Sequence, residues 1–220
     1  MKKTPGLLFV GLLFTATSAL AEVSKTQLTS LRNVIIRYQQ SAYVEMDLEK
    51  TVVSEILGRE KTNKGKSFLA PKRIRLEIFE PDKSLIVYDG STLWNVQYPP
   101  AGSGGKVQVA KAKLDQKNQN QILLGDLLVE QGLLAKFDLL DATKDGDVLE
   151  ITAKPKGHKI QVADLKFRVN LKDKVIQEIE YSDELSNKTT MKFSGTIFQK
   201  KKNAKIFQYQ PEKGAQVTEL

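Results

Sequence analysis

The feature that most constrains this chain is strict alternation. Ala163, Leu165, Phe167, Val169 and Leu171 stand against Asp164, Lys166, Arg168 and Asn170. Side chains on a strand point to opposite faces in turn, so this pattern makes one dry face and one wet face. The pattern recurs elsewhere. Ala42, Val44, Met46 and Leu48 alternate with Tyr43, Glu45, Asp47 and Glu49, and Ile74, Leu76 and Ile78 with Arg73, Arg75 and Glu77. Half-wet strands imply an antiparallel sheet. Further runs near 61–69, 84–88, 92–97, 106–112, 136–141, 147–154, 174–181, 188–199 and 204–210 bring the total to about a dozen strands. Asp89-Gly90, Asp145-Gly146 and Asp173-Lys174 supply hairpin turns between them. A sheet this wide rarely stays flat, so it is expected to curl into a barrel or half-barrel.

Two segments depart from that period. Ser24 and Gln27 have capping-box spacing, and Leu28, Leu31, Ile35 and Tyr38 then recur at helical spacing. One amphipathic helix is therefore predicted ahead of the strands. Between Asn118 and Leu134 lie Ile122, Leu123, Leu124, Leu127, Leu128, Leu133 and Leu134, with few β-branched residues. Gly125 and Gly132 punctuate this run, and Asp126 is placed to cap a helix. Two short apolar helices are predicted here. They cannot join the sheet, so they are expected to cover its concave face.

The N-terminus reads as a leader. Lys2 and Lys3 precede an apolar stretch from Leu7 to Ala16, and Ala19-Leu20-Ala21 has the small-x-small form of a cleavage site. The apolar stretch is shorter than the about 20 residues of a membrane span. Residues 1–21 are thus expected to be a signal peptide cleaved after Ala21, leaving one domain over 22–220. The 220-residue chain has no cysteine, so no disulfide, thiolate nucleophile or thiolate-bound metal is available, nor a lipidated N-terminal cysteine. Its formal charge of +8 falls to +6 without Lys2 and Lys3. Export argues against nucleic acid as the partner of that excess. Its one cationic run, Lys200 to Lys202, reads as a solvated turn.

Catalytic constellations are missing. His158 is the single histidine and has neither a nucleophile elbow nor a second ligand to work with. Gly102 to Lys106 fails as a phosphate loop, because Pro100 and Val107 stand where glycine and Ser/Thr are required. Glu45, Asp47 and Glu49 on one wet strand face indicate solubility. The reading is a non-enzyme that needs no metal or cofactor.

The stretch Gly65-x-x-Phe68-Leu69-x-Pro71-x-Arg73-Ile74-Arg75-Leu76, then Pro81, then Ile86-Val87-Tyr88-Asp89-Gly90-x-x-Leu93-Trp94, resembles the signature of the periplasmic outer-membrane lipoprotein carriers, the LolA family. Phe207-x-Tyr209-x-Pro211-x-x-Gly214-x-x-Val217 is similar to that family's C-terminal strand and loop. The resemblance implies a mainly β fold with a few helices: a half-open antiparallel β-barrel covered by an α-helical lid. It also implies an exported monomer that carries triacylated lipoproteins in an apolar cavity. Such a carrier takes them from an ATP-driven inner-membrane release complex and passes them to an outer-membrane receptor.

By similarity Leu76 lines the cavity and Ile74 lies in the region that engages the donor; the family usually has aromatics at these places. Periodicity adds Leu31, Ile35, Met46, Ile78, Leu123, Leu124, Leu127 and Leu128 as acyl-chain candidates, with Gly125 and Gly132 as lid hinges. Each of the apolar candidates serves equally as ordinary core. Trp94 is a further candidate, with a hairpin-core role as its other reading. The family commonly has a basic residue directly before the proline, latching the lid, and here that residue is Ala70. Lys72 or Arg73 would have to substitute. Arg73 alternates onto the wet face, so the expectation is a lid closed by apolar contact alone. A carrier of free lipid, or a non-carrier sensor module with a filled core, would share this fold.

Overall fold

The computed structural model describes residues 23–113, 132–157, 162–183 and 185–220. Helix α1 runs from Lys25 to Gln40 and opens on the predicted capping box. Ser24 Oγ accepts from the Gln27 amide at 3.2 Å, and the Ser24 amide donates to Gln27 Oε1 at 2.8 Å. Two of the helix's orphan amide donors are thereby satisfied. Its buried face is Leu31, Val34, Ile35 and Tyr38; Val34 joins the predicted stripe, while Leu28, one turn nearer the helix start, is only half-buried.

Among the described residues twelve strands form one sheet. They are β1 (Tyr43–Ser54), β2 (Arg59–Ala70), β3 (Arg73–Glu80), β4 (Ser84–Tyr88), β5 (Thr92–Gln97), β6 (Gln108–Lys113), β7 (Phe137–Asp145), β8 (Val148–Pro155), β9 (Asp164–Asn170), β10 (Val175–Ser182), β11 (Lys188–Gln199) and β12 (Gln216–Glu219). The five-residue helix α2 (Gly132–Lys136) leads into β7. The spatial order is β12-β6-β5-β4-β3-β2-β1-β11-β10-β9-β8-β7. Hairpins account for most of that order, and two long returns pair β11 with β1 and β12 with β6. The sheet does not close, because β12 and β7 are its edges.

The turns follow their residues. Asp89 Oδ1 accepts from the amides of Ser91 and Thr92, each at 2.9 Å, and Gly90 takes φ +103°. Partial burial works against the Asp89 charge, but those amide donors outweigh it and hold the carboxyl below its usual range. Gly65 answers a different demand. A Cβ there would lie 1.8 Å from the Glu77 carbonyl oxygen, at the point where the β2–β3 register shifts. Only glycine permits that approach.

The structure corrects two expectations. Residues 204–210 are not a strand: Ala204–Phe207 is a 3-10 turn and residues 208–210 pair with no described strand. The twelfth strand is instead β12, and it lies parallel to β6 in a sheet otherwise antiparallel. The reason is the route of the C-terminal segment. Phe207 packs edge-on against Tyr43 and Tyr209 against Trp94, so the segment crosses the outside of the sheet before reaching the β6 edge. Alternating apolar residues serve there for face packing without ladder hydrogen bonds. The lid residues Leu123, Leu124, Gly125, Leu127 and Leu128, and His158, lie outside the described residues.

Candidate functional site

The inner face of the sheet is the one that meets α1. A single cluster of buried apolar residues joins Leu31, Val34, Ile35 and Tyr38 of α1 to Met46 and Leu48 of β1, Ile74, Leu76 and Ile78 of β3, and Phe167, Ile179 and Met191 farther round. Alternation builds it, since each of these strands contributes every second residue. Leu133 of α2 belongs to the same cluster and is 2% exposed, so part of the predicted helical run does rest on this face.

Polar contacts fix α1 over the sheet. Tyr38 Oη accepts from the Ile176 amide at 2.9 Å and points its own proton toward Met46 Sδ at 3.9 Å. Burial outweighs that amide bond and pushes the phenol pKa up to about 12. Gln27 Nε2 donates to the Ala142 carbonyl at 2.8 Å, and Arg37 donates to the Asp173 carbonyl while its guanidinium sits 3.9 Å from the Phe198 ring centre. The helix is thus pinned at both ends to the β7–β10 side. Between α1 and α2 a groove of about 450 Å³ remains, lined by Arg32, Ile35, Ile36, Leu133 and Leu134 among others. That volume falls within the about 300–1,000 Å³ of small-ligand sites. Ile36 is 43% exposed at its mouth, a large apolar side chain left facing out.

The structure brings together Leu31, Ile35, Met46, Leu76 and Ile78, all buried in the one cluster. Trp94 is not among them. It sits on the outer face with Leu85, Val87, Val96 and Val109, its ring 5.5 Å from that of Tyr209. The hairpin-core reading describes that position. Ile74 is 1% exposed between Leu69 and Tyr88, so a partner meets it only if this face opens. Arg73 is exposed, as its alternation required, while Ala70 is buried. Sequence reasoning missed Ile36 as a groove residue, its signal being an apolar residue just off the buried helical stripe, while Leu134 stood in the apolar run expected to cover the sheet. It also left Phe167 unassigned, although Phe167 sits in the clearest alternating run.

Among the described residues no group of three or more His, Cys, Asp or Glu side chains is disposed to hold a metal. No described helix is long and apolar enough to cross a membrane. What the inner face offers is apolar surface on an open sheet, gripped by one helix and lined by a groove.

Residues 43–210 match the family model described as "Outer membrane lipoprotein carrier protein LolA". The chain belongs to the LolA family. An outer-membrane lipoprotein carrier protein from Chromobacterium violaceum is 28% identical over 182 residues, which covers 80% of this chain and 81% of that protein. Both the family description and that relative's name give the role of carrier. The fold is also similar to that of an uncharacterized conserved protein from Thermus thermophilus, with TM-score 0.52 and 11% identity over 88% of this chain and 99% of the other. A LolA superfamily protein from Nitrosomonas europaea aligns with TM-score 0.45 and 12% identity over 83% of this chain and 97% of that one.

Proposed function

We propose that this chain is a periplasmic carrier that shelters the acyl chains of lipoproteins on its inner face and ferries them from the inner to the outer membrane. The observation that carries the reading is the family match over 43–210 laid on a sheet whose inner face is one apolar cluster. Each buried CH₂ of an acyl chain gains about 0.8 kcal/mol, so a lipid anchor with several chains crosses water only under cover. The groove beside α1 is where such a chain would first lodge, with Leu31, Ile35, Met46, Leu76 and Ile78 as the face beneath it. The run holding Leu123, Leu124, Leu127 and Leu128 would form the movable lid, with Gly125 and Gly132 as its hinges.

The sequence before Glu22 is the proposed export signal, and residues 22–220 the carrier domain. Triacylated lipoproteins are the cargo, a nucleotide-driven release complex the donor and an outer-membrane receptor the acceptor. Release needs no nucleotide on this chain if open and closed states lie within a few kcal/mol of each other. Replacing Arg73 with Leu should leave amide exchange in the lid unchanged, because its exposed side chain faces away from the cluster; faster exchange would make Arg73 the latch.

The deciding experiment is mass spectrometry of what co-purifies with the mature protein from a periplasmic extract. Stoichiometric triacylated lipoproteins are expected. Free phospholipid alone would make the protein a lipid shuttle on the same fold, and an empty protein that also fails to bind an apolar dye would refute the carrier reading.

A further inference from the structure

Cross-strand register puts a cation where the inner face should be dry. Val44, Met46 and Leu48 of β1 point inward and are buried, so the next inward position is Lys50. Lys50 pairs with Met191 of β11, Met191 with Ile179 of β10, Ile179 with Phe167 of β9, and Phe167 with Ile151 of β8. None of these four apolar residues is more than 4% exposed. One row of the inner face therefore runs apolar across four strands and ends on an ammonium. On the other side of Lys50 stands Asn63 of β2, whose amide donates to the Lys50 carbonyl at 3.4 Å.

Among the described residues no carboxylate meets this charge. Glu45, Asp47 and Glu49 alternate onto the outer face, where Lys66 takes Glu45 at 2.6 Å. Among the described residues Lys50 has neither an ion pair nor a hydrogen bond; its side chain is half-buried at the rim of the row, and the partial desolvation lowers its pKa. Desolvating an ammonium without a partner is costly, and a Met or Leu would continue the row at no such cost. The lysine stem can reach toward solvent, but that would account for packing and not for a charge at the end of a dry row. A ligand that brings its own anion accounts for both. At roughly 4.8 Å per strand the row from Lys50 to Ile151 spans about 19 Å, against about 15 Å for the hydrocarbon of one membrane leaflet.

We propose that Lys50 is a headgroup site: its ammonium pairs with a carboxylate or phosphate oxygen of an anionic amphiphile whose acyl chain lies along Met191, Ile179 and Phe167. The proposal rests on the acyl-chain reading of the inner face and adds a charge preference to it. Those three residues are buried, so the chain reaches them only as their cover moves, which the carrier reading already requires.

The test compares two fluorescent probes on the mature chain, a long-chain polyene fatty acid and the corresponding alcohol. A charge-assisted contact of this kind corresponds to roughly tenfold or more in affinity. The native protein should prefer the acid by that factor. Lys50→Met should lose the preference while still binding the alcohol, which also shows that the variant is folded, and Lys50→Arg should restore it. A preference that survives in Lys50→Met, or its absence in a native protein that binds both probes, overturns the headgroup site and leaves the carrier reading standing. Failure of the native protein to bind either probe overturns both. The source of the anion is read by two pairs: phosphatidylglycerol against diacylglycerol, and a triacylated lipopeptide with Glu against Gln after its lipidated cysteine. The pair whose anionic preference depends on Lys50 names the source, and dependence in neither pair overturns the site.

Discussion

The inner face beneath α1 and the outer face beneath the C-terminal segment are both apolar, yet they are closed by different means. Outside, Leu85, Val87, Val96, Val107 and Val109 form a small cluster capped by the chain's own Trp94, Tyr98, Tyr209 and Ala215. The capping segment is held by its own hydrogen bonds and strand: Arg75 donates to the Ile206 carbonyl at 3.1 Å, and β12 lies along β6. Inside, the cluster spreads from β5 to β7 and is gripped by α1 on one side, with a groove left beside the helix. A covered cluster of local reach is a structural device. A wide face under a pinned helix with a groove at its edge is the surface that the proposed function assigns to cargo.

Several measurements would break or sharpen that contrast. The largest effect is expected inside: Phe167→Ala removes a ring that is 1% exposed and should cost about 3–5 kcal/mol, read by denaturant unfolding. Val87→Ala, in the outer cluster, removes far less volume and should cost clearly less. Equal losses would erase the difference in scale between the two faces.

Next in size is the anchoring of α1. With the Tyr38 pKa at about 12 in the fold and about 10 unfolded, the phenol's contribution is fully present below pH 10 and is lost as the pH rises toward 12. The two-unit shift corresponds to roughly 2–3 kcal/mol. Alkaline unfolding of the native protein should therefore be steeper over that window than that of Tyr38→Phe, which lacks the ionisable group. Parallel curves would mean that Tyr38 is not buried as described.

On the outside, Arg75→Met removes the donor to Ile206 and should cost about 1 kcal/mol. Its amide-exchange signature should be confined to the C-terminal segment and β12, leaving α1 unchanged. Smallest of all, Lys66→Ala breaks a half-exposed pair with Glu45 and should leave the melting temperature unchanged within error. A clear drop there would show that the wet face of β1 matters more to the fold than its exposure suggests.

The alternation at 163–171, the Ser24–Gln27 box and the Asp-Gly turns were legible because each is a local rule acting on neighbouring residues. Trp94 shows where that legibility stops. Alternation says that Trp94 and Leu93 face opposite ways, but not which face another segment will cover, and here Tyr209 covers the Trp94 side. The 204–210 run failed for the same reason. Its spacing presents Phe207 and Tyr209 to the sheet as a strand would, while ladder bonds depend on a free edge, and β12 takes that edge at β6. The alternation read in β1 stopped at Leu48 and passed over Lys50, whose place became visible only through the register that aligns it with Met191 and Phe167.

The central claim is that acyl chains lodge on the inner face, and site-specific photo-crosslinking tests it most directly. A benzophenone amino acid is placed at Ile35, beside the groove, and separately at Trp94, on the outer face, and the protein is irradiated with triacylated lipoproteins in the periplasm. Mass spectrometry should find lipid-modified peptide adducts from position 35 and none from position 94. Adducts from position 94 alone would contradict the assignment of the carrier surface.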